Sequence, residues 1–129
     1  MSEQNGAALQ TALAHFQAVQ GRDMDAAAAL TSDEVVLKAP TGESTGKAGL
    51  QGFWSRFLVH TTELRLLEAY GDDEGALLLQ EATTTPDVVM TFAEHLAVTD
   101  GKITAATYVF DPRAFIAARA AEAQAAAKS

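Results

Sequence analysis

The stretch VVMTFAEHLAVTDGKITAATYVFDPRAF, residues 88–115, decides the fold of this chain. Apolar and more polar side chains alternate over residues 88–99, Asp100-Gly101 is a typical hairpin turn, and residues 103–110 form a second strand-like run. Asp111-Pro112 has the pattern of a helix N-cap followed by proline at the first helical position. The stretch therefore predicts two antiparallel strands that lead into a terminal helix.

Strand patterns continue on the N-terminal side of this hairpin. Three earlier segments have the β-branched or alternating composition of strands and end at turn residues: 34–39, 63–70 and 76–84. The last two of these and the hairpin predict a consecutive antiparallel meander of four strands. Residues 43–46, which follow the first segment, are predicted to be a loop.

Helical patterns dominate the first half of the chain. Three segments have the three- and four-residue apolar spacing or the alanine content of helices: 7–20, 24–30 and 47–59. Helices followed by a meander predict an α+β fold, with the helices gathered on one face of a curved antiparallel sheet.

The length of 129 residues allows one domain. We predict a single domain over residues 1–115 and an Ala-rich helical tail over residues 116–129. The tail is expected to fray toward Lys128, because few large apolar side chains anchor it. The alternative is that Phe115 and Ile116 fold over the mouth of a pocket.

The charge balance argues against a nucleic-acid partner. The chain has 9 Lys and Arg against 17 Asp and Glu, a net charge of -8, and its basic residues are scattered singly. The absence of Cys removes disulfides, thiolate nucleophiles and thiolate metal sites. The three histidines do not have the spacing of metal ligands. We therefore expect neither a metal nor a cofactor.

The sequence also lacks signals for membrane targeting. Residues 1–6 have neither the basic region nor the apolar run of a signal peptide. No apolar stretch approaches the roughly 20 residues of a membrane span. We expect a cytoplasmic protein without membrane contact.

Strand alternation singles out Glu94 as a candidate catalytic residue. The even positions from 88 to 98 are apolar except Glu94, which should therefore lie on the apolar face. A buried carboxylate either has a raised pKa or is satisfied by hydrogen bonds, and a raised pKa suits a general acid or base. The alternative is solvent contact at the sheet edge or an ion pair with a basic residue: Arg56, Lys102 or Arg113.

Three further polar residues are candidates for the same site. Tyr108 belongs to the inward set of the last strand, where its hydroxyl could orient a ligand or bond to Glu94. His95 is a candidate because histidine titrates near neutrality, although alternation places it on the opposite face. In residues 76–84 both faces are apolar, so that either Gln80 or Glu81 could point inward, and Glu81 is taken as the candidate.

The remaining histidines are weaker candidates than His95. His15 is expected on the outer side of the first helix, and His60 lies at a helix end, where a cation is favoured in any case. Large apolar side chains are expected either to line a pocket or to fill the core: Phe16, Trp54, Phe57, Met90 and Phe92. Alanines on the covering helices favour a pocket, because small side chains leave the interior incompletely filled.

Several motifs make the chain similar to the SnoaL-like proteins of the nuclear-transport-factor-two-like superfamily, which are related to polyketide cyclases, ketosteroid isomerases and limonene-epoxide hydrolases. The motifs are GRDMD at 21–25, KAPTG at 38–42, GKAGLQGFW at 46–54, AEHL at 93–96, DGKI at 100–103 and YVFDPRAF at 108–115. The resemblance covers residues 7–115. It implies a cone in which helices cover a strongly curved sheet and enclose an apolar pocket, in a chain that forms homodimers through its sheet.

The resemblance does not carry over the best-known catalytic groups. Ketosteroid isomerases have an aspartate base before the proline that ends the first strand and a tyrosine on the first helix, where this chain has Ala39 and Phe16. Their second pocket aspartate matches Glu94 or His95. The epoxide hydrolases have an aspartate on the last strand, where this chain has Tyr108. Neither catalytic machinery is expected here, and the fold alone does not decide function.

The sequence thus predicts a domain that binds a small, hydrophobic organic molecule. If it is an enzyme, we expect cofactor-free isomerase, cyclase or lyase chemistry on a carbonyl or polyketide-like substrate, with Glu94 as the acid–base group and Tyr108 as the orienting group. The alternatives are a non-catalytic ligand-binding domain and a dimerisation module whose pocket is filled by its own side chains.

Overall fold

The computed structural model describes residues 6–127 of the chain, and it confirms the predicted α+β fold. The helices of this part are α1 (Ala7–Gln20), α2 (Met24–Ala29), α3 (Lys47–Leu58) and α4 (Arg113–Ala127). The strands are β1 (Thr31–Ala39), β2 (Gly42–Thr45), β3 (Thr61–Gly71), β4 (Gly75–Thr84), β5 (Val88–Thr99) and β6 (Lys102–Val109).

All the described strands form one sheet in the order β2-β1-β6-β5-β4-β3. The predicted meander from β3 to β6 is antiparallel throughout, but β1 runs parallel to β6, so that the sheet is mixed. Register shifts in the β1–β6, β3–β4 and β5–β6 pairs mark bulges, which bend strands and increase their twist. The sheet therefore curves around one face.

The prediction of a loop at residues 43–46 is wrong for most of that segment. Residues 42–45 form the edge strand β2, in which Ser44 pairs with Leu37 and Thr45 pairs with Val36. This short segment has no apolar alternation of its own. Its extended conformation follows from pairing with β1, an interaction that local composition does not report.

Three helices cover the inner face of the curved sheet. The first, α1, packs against β3, β4, β5 and β6, and its buried side chains recur with helical spacing. The Asp23 carboxylate accepts a hydrogen bond from the Ala26 N–H and caps α2. None of the helices in the described part is long and apolar enough to cross a membrane.

The run of three leucines in β4 resolves into two faces. Leu78 is fully buried against the helices, whereas Leu77 and Leu79 lie on the outer face of the sheet. With the same period of two, Gln80 points inward and Glu81 outward. This alternation decides which polar residue of β4 enters the interior.

The last helix covers the open end of the interior. It begins at Arg113, whose backbone N–H bonds to the Asp111 carboxylate, and it crosses the predicted boundary at residue 115 without a break. The Phe115 ring lies 5.6 Å from the ring of Phe57 on α3. Phe115 therefore lies over the interior, as the alternative prediction for the tail had it. The fraying expected near Lys128 concerns residues outside the described part of the chain.

We expect Leu78→Ala to lower the free energy of unfolding by about 2–5 kcal/mol, because it leaves a cavity between β4 and the helices. Val59→Ala removes an apolar side chain that is 77% exposed, and it should change stability by less than about 0.5 kcal/mol. Urea denaturation followed by circular dichroism measures both. Equal effects of the two substitutions would contradict the face assignment of β4.

Candidate functional site

A chain of hydrogen-bonded polar side chains lies inside the apolar interior. The Tyr108 hydroxyl donates to Glu94 Oε2 at 2.5 Å, and Gln80 Nε2 donates to Glu94 Oε1 at 2.8 Å. Trp54 Nε1 donates to Tyr108 Oη at 2.8 Å. All four side chains are buried, and Glu94 is only 1% exposed. The carboxylate predicted to face inward is thus both desolvated and hydrogen-bonded.

Strand register brings these groups together. Glu94 of β5 is paired directly with Tyr108 of β6, and residues directly opposite in an antiparallel pair point to the same face. On the other side, Glu94 pairs with Leu78 of β4, and Gln80 lies one inward position further along that strand. Trp54 reaches the same point from α3, so the site forms only when α3 packs on the sheet.

Burial shifts the protonation of both acidic groups. Loss of solvent raises the pKa of Glu94 to about 7, and the hydrogen bonds from Tyr108 and Gln80 partly oppose that rise. The pKa of Tyr108 lies well above its ordinary value, because of burial first and the neighbouring Glu94 charge second. Near neutral pH, therefore, Glu94 exchanges a proton while Tyr108 keeps its own.

The protonation state of Glu94 decides what Tyr108 offers to a ligand. A hydroxyl has one donor and two acceptor positions. When Glu94 is ionised, the Tyr108 hydroxyl donates to it. When Glu94 is protonated, it can donate to Tyr108 Oη, which already accepts from Trp54, and the Tyr108 O–H is then free to donate elsewhere. The pair can therefore pass a proton between Glu94 and a molecule beside Tyr108.

The basic residues considered as alternative partners of Glu94 lie elsewhere. Arg113 binds Asp111, and Lys102 donates to a backbone carbonyl of α2. Arg56 is exposed on α3. None of them makes a salt bridge with Glu94, whose hydrogen bonds come from uncharged donors. The carboxylate therefore lacks the paired cation that would lower its pKa.

Tyr108 lines a small apolar space that adjoins a larger space beside α4. The narrow inner space, of about 20 Å³, is lined by Tyr108, Trp54 and Phe92 together with four residues shared with the outer space. The outer space has a volume of about 280 Å³. The shared residues are Phe53, Phe57, Met90 and Phe110. Glu94 lines neither space, so a ligand would reach its proton through Tyr108.

The structure brings together most, but not all, of the predicted pocket residues. Trp54, Phe57, Met90 and Phe92 line the cavity. Phe16 does not line it. Its side chain is buried in the core on α1, because the helical spacing that made it inward-facing directs it to the α1–sheet contact.

Two predicted polar residues lie on the outer face of the sheet. Glu81 forms an ion pair with Arg65 at 2.8 Å, and this corrects the prediction that Glu81 lines the pocket. His95 is exposed near Gly75, on the face opposite Glu94, so it cannot act at the same cavity. Both placements follow from the two-residue period of β4 and β5.

Three residues at the site were not assigned to it from the sequence: Gln80, Phe53 and His60. Gln80 was left open because its strand is apolar on both faces. Phe53 and His60 line the cavity beside Phe57. Phe53 and Phe57 lie on one face of α3 with i, i+4 spacing, and His60 follows two residues after the end of that helix. That spacing was present in the sequence, but only the packing of α4 shows that this end of α3 borders a cavity.

His15 lies inside the protein, contrary to the prediction of an outer position. It is buried near Trp54, and burial lowers the pKa of its imidazole to about 4. It is therefore a neutral side chain at physiological pH. Within residues 6–127, no group of histidine, aspartate and glutamate side chains has the arrangement of a metal site.

Comparisons with known proteins agree with this architecture. The family model described as "SnoaL-like domain" matches residues 12–106. A solved structure from Kribbella flavida is 37% identical, covers 92% of this chain and 98% of that chain, and has a TM-score of 0.86. No curated protein is significantly similar in sequence.

More distant solved structures share the fold. A nuclear-transport-factor-two-like protein of unknown function from Cytophaga hutchinsonii is 14% identical, with 82% and 91% of the two chains covered and a TM-score of 0.71. A protein named as a candidate polyketide cyclase, from Xanthomonas campestris, is 22% identical, with 91% and 98% covered and a TM-score of 0.71.

We expect the buried carboxylate to make stability depend on pH. The pKa of Glu94 is about 7 in the folded protein and about 4.5 in the unfolded chain, so the unfolded chain loses its proton first as pH rises. The contribution of Glu94 to stability should fall between about pH 4.5 and 7, by up to about 3 kcal/mol, and then level off. Buried His15, whose pKa is lowered to about 4, makes a contribution of opposite sign over nearly the same range, so the Glu94 contribution is obtained as a difference between variants. Chemical denaturation at a series of pH values measures this.

Two variants isolate the contribution of Glu94 to that profile. Glu94→Gln has no titrating group at this position, so the unaltered protein should lose stability relative to Glu94→Gln as pH rises through this range, while His15 contributes equally to both. Glu81→Gln removes a carboxylate from the outer face and should keep the profile of the unaltered protein. The assignment is wrong if Glu94→Gln and the unaltered protein lose stability in parallel over this range.

Proposed function

We propose that this chain, which belongs to the SnoaL-like domain family, binds a small, mostly apolar carbonyl compound and moves protons to and from it without a cofactor. The observation that carries the proposal is the buried Glu94–Tyr108 pair, whose Tyr108 end borders an apolar cavity. The fold shared with a candidate polyketide cyclase is compatible with such chemistry, but it does not specify the reaction.

The cavity supports binding of an apolar body with one polar end. Its inner walls are aromatic rings and the Met90 side chain, which favour apolar groups through burial. Tyr108 is the one residue of those walls that carries a hydroxyl, and the proposal requires a bound carbonyl oxygen to reach that hydroxyl beside Glu94 and Trp54. The outer volume of about 280 Å³ lies near the lower end of the roughly 300–1,000 Å³ of ligand pockets, which indicates a small molecule.

The proposed step is enolisation of the bound carbonyl compound. Protonated Glu94 donates to Tyr108, and Tyr108 passes its own proton to the carbonyl oxygen. The hydrogen on the neighbouring carbon leaves as a proton to His60, and the electrons of that C–H bond form the carbon–carbon double bond of the enol. Where the compound has a second carbon–carbon double bond next to that carbon, the enol is a conjugated dienol. Transfer of the proton from His60 to the far carbon of the dienol, with return of the enol O–H proton to Tyr108, then gives an isomerised ketone.

His60 supports the role of proton acceptor. Its imidazole borders the outer space of the cavity and lies 5.8 Å from the Phe115 ring, ring centre to ring centre. Among the described side chains that line this space, it is the only imidazole, and an unprotonated imidazole nitrogen is a hydrogen-bond and proton acceptor. A group of raised pKa on one side and an imidazole on the other form an acid–base pair.

The test is hydrogen exchange into an aryl ketone. Butyrophenone is incubated with the protein in D₂O, and loss of the hydrogens beside its carbonyl group is followed by NMR. We expect the protein to accelerate exchange, and we expect Tyr108→Phe and Glu94→Gln each to slow it by about 10²–10⁴-fold, the typical contribution of a general acid or base. The rate should fall above about pH 7, where Glu94 is ionised.

Controls separate catalysis from binding. Glu81→Gln, on the outer face of the sheet, should exchange at the rate of the unaltered protein. Binding of butyrophenone is measured separately from the rise in melting temperature. Binding without accelerated exchange would leave a non-catalytic ligand-binding domain, and the absence of any binding would reject the proposed function as a whole.

The outer face of the sheet supports a second proposal, that the chain forms a homodimer. Leu77, Leu79 and Val109 are exposed there as apolar side chains. Glu68 on β3 borders this surface on one side and Lys38 on β1 borders it on the other. A second copy turned by a two-fold axis would bring Lys38 of each copy toward Glu68 of the other, which is the complementarity of a symmetric interface.

Light scattering with size-exclusion chromatography tests the dimer. The unaltered chain should elute with twice the mass of 13.6 kDa. Leu79→Lys combined with Val109→Lys should give the monomer, because it places charges in the interface. Val59→Lys, an exposed change outside the sheet, should leave the dimer intact. A monomer at micromolar concentration without any substitution would reject the proposal.

A further inference from the structure

The mouth of the cavity is basic in an otherwise acidic protein. Arg56, His60 and Arg119 line the outer space, whereas no Asp or Glu is among its described lining residues. The whole chain has 9 Lys and Arg against 17 Asp and Glu. The opening therefore carries positive charge, whereas the chain as a whole is negatively charged.

Arg119 is held in place but is incompletely hydrogen-bonded. Its guanidinium lies 5.0 Å from the centre of the Phe115 ring, and its side chain is 19% exposed. Nη2 donates to the Thr85 carbonyl oxygen and lies 3.4 Å from a carboxylate oxygen of Glu122. Nε and Nη1 are buried without an acceptor. Buried donors without acceptors are costly, and an acceptor supplied by a ligand would remove that cost.

Arg56 adds a second unpaired cation. It lies on α3 and lines the outer space with Phe53 and His60, and no described carboxylate forms an ion pair with it. Other arginines are occupied: Arg65 by Glu81 and Arg113 by Asp111. The two arginines of the mouth thus have N–H donors that could bind an acceptor group of a ligand.

We propose that the ligand of this cavity is an amphipathic carboxylic acid, with its apolar body against the aromatic walls and its carboxylate at the mouth on Arg119 and Arg56. This inference rests on the proposed function, because it names the class of molecule that the same cavity binds. Guanidinium groups match carboxylates through parallel N–H donors, and such charge-assisted bonds are stronger than neutral ones. The aromatic inner walls offer no partner that would stabilise a charged group, so the carboxylate of the ligand lies at the outer end of the cavity.

Two compounds that differ at one end provide the test. 4-Oxo-4-phenylbutanoate has a carboxylate where butyrophenone has its terminal methyl group, and both have the same aryl ketone. We expect isothermal titration calorimetry to show the acid binding at least about tenfold more tightly, the difference made by one charge-assisted pair. The preference should weaken as sodium chloride is raised, because salt screens exposed charges.

Variants identify the residues responsible. Arg119→Met keeps the apolar stem and removes the donors, so it should abolish the preference for the acid. Arg56→Gln should reduce the preference by about threefold, as expected for a more exposed and screened charge. Arg113→Gln makes the same change of charge on α4 outside the cavity lining and should leave the preference unchanged.

The outcomes distinguish this inference from the function on which it rests. Binding of the acid with a preference that depends on Arg119 supports the inference. Equal binding of acid and ketone overturns it while leaving the cavity as a ligand site. Loss of the preference in Arg113→Gln to the same extent as in Arg119→Met also overturns it. Failure of both compounds to bind rejects the inference and the proposed function together.

Discussion

The buried carboxylate of Glu94 is the constraint on which the site depends. A carboxylate in an apolar interior must either be neutralised or receive hydrogen bonds, because its charged form loses the solvation of water. Here Tyr108 and Gln80 donate to its two oxygens, and Trp54 in turn donates to Tyr108. These contacts require the register of three strands and the position of α3. The pocket chemistry and the fold therefore share one set of interactions.

In the proposed function, the Tyr108 hydroxyl lies between the Glu94 carboxyl and the ligand. Glu94 lines neither of the two spaces, whereas Tyr108 borders the inner one, which shares four lining residues with the space under α4. Burial raises the pKa of the Glu94 carboxyl to about 7. Direct contact with solvent would lower that pKa, because water stabilises the charged form. This SnoaL-like fold thus carries a buried, hydrogen-bonded carboxyl–hydroxyl pair at β5 and β6, whereas the positions that resemble those of ketosteroid isomerase catalytic groups are occupied by Ala39 and Phe16. A fold that resembles that of the ketosteroid isomerases therefore does not require the same polar groups at the same positions.

Local sequence signals were sufficient for the helices, the meander and the face of each residue in β5. Alternation with one interruption identified Glu94 and placed His95 on the other face, as the structure has them. It failed where the signal is not local. Both faces of β4 are apolar, so the choice between Gln80 and Glu81 depended on packing. The edge strand β2 has no alternation, and its conformation comes from its pairing with β1.

The sequence by itself determined the order of the elements, the family resemblance and the inward carboxylate, because periodicity and turn residues act over a few neighbouring positions. Only the tertiary structure decided which groups bond to that carboxylate and which residues surround the cavity. Glu94, Tyr108, Gln80 and Trp54 lie 14 to 54 residues apart within their hydrogen-bonded pairs, and α4 brings Arg119 to the mouth formed by α3. Such long-range contacts depend on how the chain folds back on itself. No local sequence pattern encodes the distance between two side chains that are so far apart in sequence.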